Sequence, residues 1–146
     1  MRKNSNSGPV KRVIDANINR FKEGLRVCEE ISRFLLENPS ITASLKKLRH
    51  AADSAIKRLP VRDLLKERDS DKDVGRKICV NELKRETCED IFFANMQRAK
   101  ESLRVLEEFS KLFNKKAALE FKEIRYSLYS AEKKIVQKIA GSGRIK

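Results

Sequence analysis

An all-α fold made from two copies of one helical hairpin is predicted by three features of the chain. A segment of 18 residues that starts Ala16-Asn17-Ile18-Asn19-Arg20 returns at Ala94-Asn95-Met96-Gln97-Arg98, at an offset of 95 − 17 = 78, with 11 of the 18 positions identical. Unrelated segments would share roughly one, so the chain is an internal duplication. Apolar residues recur at three- and four-residue steps through both copies, the period of an amphipathic helix. No stretch alternates apolar and polar residues over enough length to demand a sheet, although Lys77-Ile78-Cys79-Val80 reads as a short extended piece.

The elements follow in order. Residues 1–9, rich in Asn, Ser, Gly and Pro without apolar periodicity, read as a flexible leader. Ile14, Ile18, Phe21, Leu25, Cys28, Ile31 and Leu35 mark a first long helix over residues 13–36. Asn38-Pro39-Ser40 ends it, because the residue before a proline avoids the helical region, and Ser40 or Thr42 caps a second helix over 42–59. Pro60 opens an irregular crossover over 60–87, with a short helix at 61–66 and a polar stretch at 67–75. The second copy starts near Cys88 or Asp90 and runs to Phe113, and a fourth helix runs over 117–139 to Gly141-Ser142-Gly143. The second helices also match, Leu48-Arg49-His50 with Ile124-Arg125-Tyr126. A lone hairpin cannot bury its apolar face, so repeat one (12–59) and repeat two (88–139) should pack about a pseudo-two-fold axis as one bundle-like domain over 10–140. A basic tail, 141–146, follows.

Composition narrows the partners. The net charge of +13, from 34 basic and 21 acidic residues, favours a polyanionic or phosphorylated partner without choosing among them. No apolar run approaches the roughly 20 residues of a membrane span and no signal core is evident, which predicts a cytoplasmic protein without a membrane partner. Three cysteines and one histidine leave structural zinc little to bind, and Cys28 lies on an apolar helix face as a core residue rather than a nucleophile.

What the duplication preserves is mostly polar: Asn17/Asn95, Arg20/Arg98, Lys22/Lys100, Glu23/Glu101, Arg26/Arg104, Glu29/Glu107, Glu30/Glu108 and Ser32/Ser110. On a helical wheel with Ile14 at zero, Asn17 lies near ~300° and Arg20 near ~240°, inside an apolar arc that includes Val27 at ~220° and Ile31 at ~260°, while Glu23 and Glu30 border it. Polar residues in such an arc need partners within the fold or in a ligand. Arg20 with Glu23 and Arg26 with Glu30 could satisfy each other as helix neighbours, or the two copies could line a cleft for a polar anion, joined by Arg49 and Arg125. Arg68-Asp69-x-Asp71-x-Asp73-Val74-Gly75 has no repeat counterpart, and its carboxylates suit either Mg²⁺ beside phosphates or a solvated loop. Walker, dinucleotide-binding, nucleophile-elbow and His-Glu-x-x-His motifs are absent.

Four ordered segments carry a family resemblance: Ile14-Asp15-Ala16-Asn17-x-Asn19-Arg20-x-x-Glu23-Gly24-Leu25-Arg26-Val27-x-Glu29, Leu45-x-x-Leu48-Arg49-His50, Arg68-Asp69-x-x-x-Asp73-Val74-Gly75, and Ala94-Asn95-x-x-Arg98-x-x-Glu101-x-Leu103-Arg104-x-Leu106-Glu107-Glu108. Over residues 12–136 the chain resembles the small helical hydroxymethylpyrimidine-phosphate kinases of thiamine biosynthesis, a domain often fused ahead of thiamine-phosphate synthase. The resemblance implies phosphoryl transfer from ATP, with Mg²⁺, to a phosphorylated pyrimidine. Such chemistry asks mainly for positioning and charge neutralisation. On this reading Arg20, Arg98, Asp69 and Asp73 form the catalytic set, with Mg²⁺ on Asp69 and Asp73. Asn17, Asn95, Arg26, Arg49, Arg104, Arg125, Glu23, Glu101, Glu30 and Glu108 then contact substrate. Two other readings stay open: a non-catalytic accessory or regulatory subunit of thiamine-phosphate synthase, and, less consistent with the interspersed glutamates, a nucleic-acid-binding protein. A homodimer could place the site across subunits.

Overall fold

The apolar stripe from Ile14 to Leu35 folds as one long helix in the computed structural model of the chain, which describes residues 7–77 and 83–142. Helix α1 spans Ser7–Glu30 and continues as a π-helical turn, Ile31–Leu35. It begins earlier than the expected leader allows, because Pro9 falls in the first turn, where a missing N–H costs no hydrogen bond. The remainder of the leader, most of the expected extended piece and the end of the basic tail lie outside the described residues.

Helix α2 is Pro39–Ile56, and here the proline starts a helix instead of only ending one. Pro39 occupies the first helical position, and Asn38 Oδ1 accepts the Ile41 N–H at 2.9 Å as the cap. Asn114 does the same for helix α5, Lys115–Ala140, accepting the Ala117 N–H at 2.9 Å. These caps are a repeat-matched pair at an offset of 114 − 38 = 76, two less than the offset of the first helices. The two extra residues of repeat one are absorbed where the Leu36 N–H donates to Ile31 O at 3.0 Å in the π turn. Glu37 follows in the left-handed region, at φ 50°.

Helix α3, Val61–Lys66, and a single 3₁₀ turn, Ser70–Lys72, carry the crossover. Helix α4, Cys88–Ser110, starts at a capping box: the Asp90 N–H donates to Thr87 Oγ1 and the Thr87 N–H to Asp90 Oδ2, each at 3.1 Å. The backbone N–H groups of Glu86 and Thr87 hold the Asp90 carboxyl below its ordinary range. Its contribution is therefore present above the usual carboxylate range and is lost as pH falls through the lowered value. Helix α4 ends three residues before the expected Phe113, in a turn closed by the Asn114 N–H on Ser110 O at 2.8 Å.

All regular structure among the described residues is helical. Helices α1 and α2, and α4 and α5, form the two hairpins. Helix α1 packs on α4, and α2 on α5, so each helix meets its own repeat counterpart. One core runs through both hairpins, with Phe21, Phe92, Phe121, Leu45, Leu103 and Leu128 fully buried. At the α1/α4 seam a Cβ on Gly24 would stand 2.8 Å from the Asn95 carbonyl oxygen and 3.5 Å from the Ala99 nitrogen, so only glycine permits this approach.

The hairpin ends differ in one buried contact. In repeat one the Ser32 hydroxyl bonds the Thr42 hydroxyl at 2.9 Å. In repeat two Ala118 stands in place of Thr42, and the fully buried Ser110 hydroxyl has no partner among the described residues. Ser110→Ala therefore removes an unsatisfied polar group and should raise stability by about 1 kcal/mol, read from the urea midpoint. Ser32→Ala should lower it.

Candidate functional site

The duplicated polar residues divide into those the fold uses and those it leaves on the surface. Glu29 and Glu107 are buried, and each takes an arginine from the second helix of its own hairpin. Arg49 Nε lies 2.7 Å from Glu29 Oε2, and Arg125 Nε and Nη2 lie 2.9 Å from Glu107 Oε2. Arg49 and Arg125 thus tie helix to helix, and Arg125 also borders a surface cleft. Arg26–Glu30 at 3.3 Å and Arg104–Glu108 at 3.2 Å form the expected helix-neighbour pairs, half in solvent. Hydrogen bonding from Lys111 lowers the Glu108 carboxyl further.

Two expectations from the wheel are corrected. Arg20 and Arg98 are exposed rather than inside the apolar arc, and Glu23 does not pair with Arg20. The buried arc of α1 runs from Ile31 through Ile14 to Asp15, and Val27, which widened it toward Arg20, sits at its half-buried edge. Asn17 is buried, but its Nδ2 donates to Val13 O at 2.8 Å, as Asn95 Nδ2 does to Ile91 O at 2.8 Å. Each amide thus gives one of its two N–H donors to its own helix.

The unrepeated acidic loop is used structurally. Arg68 grips the nearly buried Asp15 with two contacts, Nε–Oδ2 and Nη2–Oδ1, each 2.8 Å, and fastens the crossover to α1. Asp69 Oδ1 caps the Lys72 N–H at 3.3 Å, Asp73 Oδ1 accepts the Gly75 N–H at 2.9 Å, and Asp71 pairs with Arg76 at 3.2 Å. Among the described residues no three His, Cys, Asp or Glu side chains gather as a metal-ligand set. Asp69 and Asp73 each have one carboxylate oxygen engaged within their own loop, and no described contact brings either to Arg20 or Arg98.

Repeat two instead forms a cleft of about 320 Å³ between α4 and α5, lined by Gln97, Lys100, Glu101, Arg104, Arg125 and Tyr129. Lys100 Nζ lies 5.5 Å from the centre of the Tyr129 ring and 2.9 Å from Glu132 Oε2. The Arg125 guanidinium stands over Tyr126 at 5.0 Å and Tyr129 at 5.9 Å. Lys100, Arg104 and Arg125, each paired with a glutamate (Glu132, Glu108 and Glu107), line the cleft with Glu101 beside an aromatic wall, so a planar anion entering it would share these cations with their carboxylates. Of the expected contact residues, Glu101, Arg104 and Arg125 meet here. Lys100 and Tyr129 were not singled out, although Lys100 repeats Lys22, and Tyr129 stands where repeat one has Asp53. In repeat one Asp53 takes Lys22 at 3.1 Å and His50 at 3.6 Å, so an ion pair occupies the place of the ring.

Cys28 is buried with its Sγ 3.8 Å from Phe92 O, and burial, aided by Glu132 and Glu29, pushes its thiol up to about 12. It holds no thiolate at neutral pH. Iodoacetamide followed by peptide mapping should leave Cys28 unmodified in the native protein and alkylate it in denaturant.

Comparison with known proteins places this geometry in a family. The ThiD2 family model matches residues 12–134. The thiamine-phosphate synthase of Rhodopirellula baltica is 36% identical over 139 residues, covering 94% of this chain and 37% of that protein. Those of Synechocystis and Nostoc punctiforme are 37% and 35% identical, covering 89% and 87% of this chain and 38% and 35% of theirs. The chain thus spans little more than a third of the length of these relatives. No solved structure matches it. No helix among the described residues is long and apolar enough to cross a membrane. The expectation of an ATP-dependent kinase is corrected by these relatives, which bear the name of the synthase and not of a kinase. ATP as cofactor falls with it.

Proposed function

This chain belongs to the ThiD2 family, and we propose that it serves thiamine biosynthesis as a non-catalytic accessory or regulatory module of thiamine-phosphate synthase. One observation carries the reading: nearly the whole chain corresponds to about a third of proteins named for that synthase. Those proteins hold the corresponding domain beside their remaining two thirds, the placement that an accessory module of the synthase would have.

The repeat-two cleft gives the module something to sense. A phosphorylated pyrimidine would set its ring against Tyr129 and its phosphate toward Arg104 and Lys100, with Arg125 held in place by Glu107. The repeat-one counterpart, with its Lys22–Asp53 pair, has no aromatic wall and would not bind it. Calorimetric titration of the chain into purified thiamine-phosphate synthase tests the reading, with and without hydroxymethylpyrimidine phosphate. A saturable complex is expected, and Tyr129→Ala should weaken the pyrimidine ligand at least fivefold while leaving the protein contact intact. Absence of any complex, with the chain shown to be folded, would remove the proposal.

A further inference from the structure

The two copies differ most on the outer face of the α2/α5 pair. With the second helices aligned at an offset of 76, Arg58 of repeat one corresponds to Lys134 of repeat two, and Glu120 corresponds to Ser44. Arg58 Nε reaches Glu120 Oε1 at 2.6 Å and ties the end of α2 to α5 at one end of this face. At the other end the described residues form no such bridge. Ser44 stands where the carboxylate would be, and its hydroxyl donates to Ser40 O of its own helix at 3.0 Å. There the two helices leave a groove of about 530 Å³.

The groove is apolar at its floor and charged at its rim. Half-buried Leu48 and buried Ile124 and Ile135 line the floor, and exposed Lys47, Glu123 and Lys134 line the rim. It follows residues 40–51 of α2 and 123–135 of α5, which is about 18 Å or three helical turns. A third helix of that length can lay an apolar stripe on the floor and hold polar side chains against the rim.

Charge decides what kind of helix fits. Each carboxylate of α2 and α5 other than Glu123 is already taken by a cation of the chain: Asp53 by Lys22, Glu120 by Arg58 and Glu132 by Lys100. Lys46, Lys47, Lys133 and Lys134 have no carboxylate partner among the described residues. A second copy of the chain, docked face to face, would set these lysines against one another. A phosphodiester backbone or a lipid headgroup layer would meet the lysines and leave the apolar floor uncovered. A helix with carboxylates beside an apolar stripe answers both features.

We propose that this groove docks an acidic amphipathic helix of thiamine-phosphate synthase, whose carboxylates pair with Lys47 and Lys134 as Glu120 pairs with Arg58. The inference rests on the synthase reading above and assigns that reading its contact surface. The groove shares no lining residue with the α4/α5 cleft, so a ligand in the cleft leaves the docking face open.

Calorimetric titration of the full chain into purified thiamine-phosphate synthase tests the surface. Lys47→Glu combined with Lys134→Glu should weaken the complex at least tenfold, and should leave the urea midpoint in place because neither lysine holds a partner. Arg62→Glu combined with Lys66→Glu, the same change of net charge placed on α3, should stay within twofold of the unaltered chain. Ser127→Trp fills the groove without altering charge and should also weaken binding at least tenfold. Equal weakening by both charge-reversed pairs would mean a diffuse attraction of polyanions, and full binding by Ser127→Trp would mean that the floor is not covered; either overturns the groove and leaves the synthase reading standing. No complex with the unaltered, folded chain would remove both.

Discussion

Glu107→Ala should destabilise the fold by about 3 kcal/mol, because it leaves the buried Arg125 without its carboxylate between α4 and α5. Glu29→Ala should cost less. The Arg49 side chain is 22% exposed against 11% for Arg125, and so can turn toward water when its partner is lost. Replacing Glu107 and Arg125 together by leucine should recover most of the loss, since neither charge is then stranded. Urea unfolding of the three variants measures all of this. Equal, small effects at Glu29 and Glu107 would mean that these pairs do not hold the hairpins.

Gly24→Ala should also destabilise, by about 1–2 kcal/mol, although alanine is the better helix former by about 1 kcal/mol. The new Cβ would meet a backbone carbonyl 2.8 Å away, which cannot swing aside as a side-chain end would. Relief requires α1 and α4 to part, opening the core along its longest contact. Gly24→Val adds two methyl groups at the same place and should cost about 3 kcal/mol or more. Thermal unfolding of both variants checks the order. A stabilised Gly24→Ala would show that propensity, not close approach, governs the site.

The architecture was legible because duplication and the 3.6-residue period act on many residues at once. The all-α fold comes from patterns that no single position can spoil. The helix ends were less legible. Pro39 fits both the end of one helix and the first position of the next, and only the Asn38 cap decides between them. The Asn38/Asn114 match was visible in the sequence but masked by the change of offset from 78 to 76.

Among site residues, the wheel misjudged which polar groups are inside. It placed Arg20 within the arc on the strength of Val27, whereas Asp15 and Glu29 are the buried charges. Their partners Arg68 and Arg49 lie 53 and 20 residues away, and such pairings are not encoded in the period of one helix. Tyr129 went unnoticed for the opposite reason. Its signal is a difference between the repeats, and attention to what the repeats share passes over it.

The measurement that bears most directly on the central claim is the steady-state formation of thiamine phosphate by purified thiamine-phosphate synthase as this chain is titrated in. An accessory or regulatory module predicts a saturable change in rate or in KM for the pyrimidine substrate, diminished by Tyr129→Ala. Rate and KM unchanged at a large excess of folded chain, with no complex formed, would contradict it.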